Sequence, residues 1–267
     1  MKSILIALLF AASAVSAQSP SGRTCHEAVP CPLGERSYHV KEPDGWDGVT
    51  PLPVLFHFHG WARQGSLIVN HDRISGATRR RNVLLVAPNG LNESWSFRRA
   101  GSPDTTFARE VIDDVKARYP VRADQIFVSG YSWGANMAWR FACEDANGIA
   151  ALLAIAGTLD QDEECTTAPA EVRQVYGLND QVLPFPMGPN GDQNYPVQIW
   201  RNAYKCGAGE ALGPWQQVSF LTLERTVWET CATGRVTLDL HPGGHFIPHG
   251  WIARQLDELL GLEPSYP

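Results

Sequence analysis

Ile126-Phe127-Val128-Ser129-Gly130-Tyr131-Ser132-Trp133-Gly134-Ala135-Asn136 is the stretch whose reading decides the fold. A short apolar run leads into a G-x-S-x-G pentapeptide, Gly130 to Gly134, and a helix-compatible run follows as far as Cys143. A strand that turns sharply into a helix holds its central serine in a strained conformation and exposes the hydroxyl. The hydroxyl then sits at a helix N-terminus, where the dipole and free N–H groups favour a developing oxyanion. Side chains two positions either side would crowd the adjoining strand and helix, so glycine is required at both. Ser132 therefore reads as a nucleophile. The bland alternative is a chance pentapeptide in a Gly-rich loop, and the strand before and helix after speak against it.

Outward from this turn, strands and helices alternate. Strands are expected over 54–58, 82–87, 125–129, 149–155, 172–176 and 236–240, the first two around short apolar runs that end at the turn residues His59-Gly60 and Pro88-Asn89-Gly90. Helices are expected over 106–118, 132–143 and 251–260. In the first, Phe107, Val111 and Val115 recur every four residues, Asp104 or Thr105 is placed to cap it, and Pro120 stops it. Residues 18–35 read as an irregular segment tied down by cysteines. The pattern predicts an α/β chain: a doubly wound, mostly parallel sheet with helices on both faces.

A serine hydroxyl is a weak nucleophile without a base. In the α/β-hydrolase order, an acid and then a histidine follow the serine. His241, His245 and His249 lie beyond Ser132. His245, at the end of His241-Pro242-Gly243-Gly244-His245, sits on a Gly-Gly loop after a strand and is the preferred base; His241, at the strand end, is its main rival. The acid belongs on a loop after a strand, and Asp180 follows the strand at 172–176. Its part would be to accept the imidazole N–H and hold the tautomer. Asp160, Asp162 and Asp239 are less well placed, and a plain turn role for Asn179-Asp180 is the alternative. The oxyanion would be held by the backbone N–H groups of Trp133 and Trp61. The four-residue spacing of the three late histidines is no metal signature, because Pro242, Gly243, Gly244 and Pro248 forbid a regular helix. No metal and no cofactor are expected.

These residues resemble a known group. Phe58-His59-Gly60-Trp61, Gly130-Tyr131-Ser132-Trp133-Gly134, Tyr176-Gly177-Leu178-Asn179-Asp180 and Gly243-Gly244-His245 look like secreted polyhydroxybutyrate depolymerases. They are equally similar to the feruloyl and acetylxylan esterases of carbohydrate esterase family one. The similarity runs over about residues 35–260. It implies an α/β-hydrolase that cleaves carboxylic esters through an acyl-enzyme without a cofactor, with Ser132, Asp180 and His245 as the triad. The group more often has a small or polar residue after the serine; here it is Trp133. Trp61, Trp95 and Trp133, three of nine tryptophans, are candidates for an aromatic platform under a phenolic acyl group or a sugar. A serine peptidase on the same triad and a non-catalytic binding protein are the competing readings.

The 267 residues carry 22 basic and 28 acidic side chains, a net charge of −6 with no evident basic stripe. Nucleic acid and an anionic membrane surface are poor partners for such a chain. The expected partner is an ester: a small molecule, an oligoester or an esterified polysaccharide. The chain ends just after the last expected helix, with no tethered polymer-binding module expected, which favours a soluble ester or a side group. Lys2, the apolar run 4–10 and Val15-Ser16-Ala17 read as a signal peptide over 1–17, leaving a single catalytic domain over 18–267 in an exported protein. Six cysteines in such a protein suggest disulfides. The sequence does not choose among their pairings; the sequential set, Cys25 with Cys31, Cys143 with Cys165 and Cys206 with Cys231, is the expectation. Asn92-Glu93-Ser94 is a glycosylation sequon, meaningful in a eukaryotic secretory pathway.

Overall fold

A computed structural model describes Cys25 and residues 28–266. The expected signal segment, 1–17, lies outside the described residues. Six strands make the parallel centre of the sheet: β3 (Leu52–Phe58), β4 (Leu84–Pro88), β5 (Val121–Tyr131), β6 (Ala151–Ile155), β7 (Glu171–Gly177) and β10 (Arg235–His241). Antiparallel strands extend it at both edges, β1 (Cys31–Leu33) and β2 (Arg36–Lys41) on one side, β8 (Glu210–Val218) and β9 (Leu221–Trp228) on the other. The order is β1-β2-β4-β3-β5-β6-β7-β10-β9-β8. Nucleophile strand β5 sits between β3 and β6, so the loops that follow all three meet at one rim.

Strands β4 and β6 are apolar on both faces, while β7 and β10 bury charged side chains that are paired, Arg173 with Glu171 and Asp239 with Arg225. Every residue of β3, β4, β6 and β7 is buried. Alternation sends Phe56 and Phe58 to one face and Leu55 to the other. The first face is covered by α3 (Pro103–Arg118), α4 (Trp133–Glu144) and α5 (Gln198–Ala203), which contribute Phe107, Trp139 and Trp200. The second is covered by α1 (Gly65–Val69), α2 (Asp72–Arg79) and α6 (Trp251–Leu260), through Val69, Ile74 and Trp251.

Several boundaries differ from the expected ones for identifiable reasons. Helix α3 starts at Pro103 because the Ser102 hydroxyl accepts from the Asp104 N–H and Pro103 fits the first turn. Asp104 and Thr105 are thus inside the helix rather than capping it. Strand β4 starts at Leu84, not at 82, because Asn82 adopts φ +53° in a turn. Strand β5 begins at Val121, since exposed residues 122–124 extend it without an apolar signal. The segment 18–35 is not wholly irregular: β1 lies within it and pairs with β2.

The three disulfides are Cys25–Cys31, Cys143–Cys165 and Cys206–Cys231, the sequential set. The second ties the end of nucleophile helix α4 to the loop after β6. No helix among the described residues is long and apolar enough to cross a membrane.

Beneath the sheet, Arg81 and Asp257 form a bidentate pair, Nε–Oδ1 2.6 Å and Nη2–Oδ2 2.9 Å, almost wholly shielded from water. It links the turn after α2 to α6. Removing one partner leaves an uncompensated buried charge. Arg81→Met should lower stability by roughly 3–5 kcal/mol, read as a lower urea midpoint. A stability within about 1 kcal/mol of the parent would show that the pair contributes little.

Candidate active site

Ser132 stands between β5 and α4 with φ +59° and ψ −127°, a conformation that L residues rarely adopt. Its N–H donates to the Ile155 carbonyl at 2.9 Å, which anchors the turn to β6. The flanking glycines make the turn possible. A Cβ on Gly130 would overlap the Gly134 carbonyl, and one on Gly134 would overlap the carbonyls of Phe58 and His59. Helix α4 thus lies against the ends of β3 and β5 at a separation that only glycine permits.

The loops after β7 and β10 bring two more side chains to this turn. In the tautomer that satisfies both partners, His245 Nδ1–H donates to Asp180 Oδ2 at 2.6 Å. Nε2 then accepts from the Ser132 hydroxyl at 2.8 Å. Asp180 is buried, and its second oxygen accepts from the N–H groups of Val182 (2.9 Å) and Leu183 (3.0 Å). The carboxylate is therefore held by its own loop before it meets the imidazole. The ring of Tyr131 lies 4.9 Å from that of His245, and the tyrosine hydroxyl donates to the His245 carbonyl at 3.1 Å.

The rival residues are engaged elsewhere. His241 is buried and accepts from the Gly243 N–H at 3.1 Å, shaping the Gly-Gly loop that carries His245. His249 faces Tyr266. Asp239 bonds Arg225, Trp215 and Trp251 under the sheet, and Asp160 and Asp162 are exposed.

The two backbone donors expected for an oxyanion lie beside Ser132. Trp133 opens α4, so its N–H has no partner within the helix. Trp61 follows Gly60, where an added Cβ would sit 3.6 Å from that of Ser132. Sequence reasoning missed what holds this loop. His59 Nδ1–H donates to the Gly60 carbonyl at 2.8 Å, and its Nε2 accepts from the Gly90 N–H at 3.0 Å. The Trp95 indole donates to the His59 carbonyl at 2.7 Å, and the Ala62 N–H donates to the Glu93 carbonyl at 2.9 Å. The only signal was the His59-Gly60 pair at a strand end; its partners are some thirty residues away and carry no motif.

Trp95 does not belong to an open platform. It is 5% exposed, edge-on to Phe58 at 5.0 Å, and acts as a brace behind the loop. Trp61 is 63% exposed and Trp133 half-buried, their rings 5.9 Å apart. Phe97 meets Trp133 edge-on at 5.5 Å, and the Arg98 guanidinium lies 5.5 Å from both rings. Among the described residues, no three His, Cys, Asp or Glu side chains converge as a metal site.

The geometry suits acyl transfer, and the comparisons agree in fold. An acetyl xylan esterase from Aspergillus awamori superposes with a TM-score of 0.62 over 85% of this chain and 94% of that one, at 14% identity. The chain has the α/β-hydrolase fold. A Bacillus cereus carboxylesterase gives a TM-score of 0.54 over 85% of this chain and 95% of its own. In sequence, the chain is 31% identical over 163 residues to feruloyl esterase C of Emericella nidulans, covering 58% of this chain and 59% of that protein. It is 29% identical over 161 residues to the probable feruloyl esterase C of Aspergillus niger, over 58% and 59%. The match thus spans about three fifths of the length of these relatives. Feruloyl esterase D of Neurospora crassa matches over 92% of this chain and 89% of its own, at 24% identity. No protein-family model matches the sequence.

Burial holds three imidazoles around this α/β-hydrolase site below their ordinary value of 6.5: His57 at about 3, His59 and His241 at about 4. The unfolded chain protonates each near the ordinary value, while the folded chain does not until far lower pH. Stability is therefore whole above pH 6.5 and drains away as pH falls towards the folded values, by roughly 1.4 kcal/mol per pH unit per histidine. The urea midpoint should fall steadily between neutral pH and pH 5. A flat midpoint over that span would contradict burial of the neutral rings.

Proposed function

We propose that this chain is a secreted serine esterase that hydrolyses carboxylic esters through an acyl-enzyme. What carries the reading is the continuous hydrogen-bond chain Asp180–His245–Ser132, which ends at a strained serine beside two free backbone donors. His245 Nε2 takes the hydroxyl proton as Oγ attacks the ester carbonyl. The N–H groups of Trp61 and Trp133 hold the oxyanion. Asp180 stabilises the imidazolium. His245 then gives its proton to the departing alcohol, leaving the acyl group on Ser132. Water, deprotonated by the same imidazole, attacks the acyl carbon; the acid departs and the serine regains its proton. No cofactor enters these steps.

The substrate we favour is an ester carried by a polysaccharide, as the names of the feruloyl and acetyl xylan esterases suggest. The exposed Trp61 ring beside Trp133 suits a flat aromatic acyl group. Export would remove residues 1–17 and leave one catalytic domain over 18–267; three disulfides agree with an oxidising compartment.

Ser132→Ala should abolish turnover of methyl ferulate and nitrophenyl acetate while the urea midpoint stays at or above that of the parent. Turnover retained at more than about a hundredth of the parent rate would overturn the assignment, since loss of a nucleophile costs far more.

A further inference from the structure

On the His245 side the site continues into a second groove. Tyr131, Phe246 and Arg73 border a cleft of about 480 Å³ next to the His245 ring. Asp72 and Arg73 also line a further cleft of about 540 Å³, which runs between α2 and the start of α6 past Arg80 and His249 to Tyr266. Asp72 and Arg73 line both clefts, and Tyr131, on the wall of the first, stands 4.9 Å from the His245 ring, so the two clefts lie side by side next to the serine turn.

The charge of this path is opposite to that of the chain. The protein carries a net −6, yet three guanidiniums, Arg73, Arg79 and Arg80, face the second cleft against the one carboxylate of Asp72. Arg79 lies 3.3 Å from Asp44. Arg73 donates to the carbonyl of Ile247 and has no ion pair among the described residues. Arg80 is exposed and has no ion pair among the described residues. Two aromatic rings stand at the far end. Tyr266 is 47% exposed and its hydroxyl lies 3.3 Å from His249 Nδ1. Phe220 is 72% exposed and meets the His249 ring edge-on at 5.2 Å.

Guanidiniums recognise carboxylates through paired charge-assisted hydrogen bonds. Exposed aromatic rings offer apolar faces to the C–H surfaces of a pyranose. A ligand that carries both features, repeated along a chain, is an acidic oligosaccharide. We propose that this groove binds the uronate-bearing backbone of a polysaccharide and holds it while an ester side group reaches Ser132. The catalytic purpose rests on the esterase reading above; the binding itself does not.

The test is calorimetric titration of the full chain with hexagalacturonate and, separately, with neutral xylohexaose at low salt. Hexagalacturonate should bind at least about tenfold more tightly, the equivalent of one charge-assisted contact, and should weaken as salt rises. Arg80→Glu should lose at least that factor while nitrophenyl acetate turnover stays unchanged. Arg122→Glu, an equal charge change on the exposed start of β5, should bind like the parent. Equal binding of the two sugars, or equal loss in both variants, would overturn the groove. Turnover without hexagalacturonate binding would sink this proposal alone; binding without turnover would uphold it and sink the esterase reading.

Discussion

Everything at this site depends on the close approach of helix α4 to the ends of β3 and β5. Two glycines permit it, and the resulting turn forces Ser132 to φ +59°. Such a conformation costs on the order of 1–3 kcal/mol and persists only where the surroundings over-determine it. Here they do: β5 is buried between β3 and β6, the serine N–H is anchored to Ile155, and the far end of α4 is tied by Cys143–Cys165. The turn directs the hydroxyl to His245, and the first N–H of α4 is free because it opens the helix.

Around that fixed point, each loop is stiffened by hydrogen bonds between a side chain and the backbone. The acid loop folds onto Asp180 through two N–H donors. The histidine loop is shaped by His241, which caps Gly243. The loop bearing Trp61 is held through His59, bonded at both ring nitrogens, and through the Trp95 indole. Protonating His59 would turn its Nε2 from an acceptor into a donor facing the Gly90 N–H. Burial already disfavours that charge, so the neutral ring and the loop geometry support each other.

The parallel centre was legible in the sequence, and Ser132, Asp180 and His245, which the structure joins by hydrogen bonds, follow strands that local signals mark. Strands β4 and β6 are continuous apolar runs, and β7 and β10 carry apolar residues among polar ones, Val172 and Val236 among them, before loops that begin with turn residues. The edge strands had no such mark. In β8, residues such as Glu210, Pro214 and Gln216 are exposed beside Leu212, so no apolar run exists. Helices α1 and α2 are too short for a periodic signal. Trp95 was open to the wrong reading because composition counts an aromatic ring without saying whether it faces out. Its burial follows from contacts with Phe58 and His59, far away in the chain.

The central claim is that one hydroxyl, and that one alone, is made reactive by its neighbours. Labelling with a fluorophosphonate, followed by peptide mass mapping, measures this directly. The account predicts about one adduct per chain, on Ser132, and none on the chain unfolded in urea. An adduct on any other residue, or a folded protein that takes up no label, would contradict it.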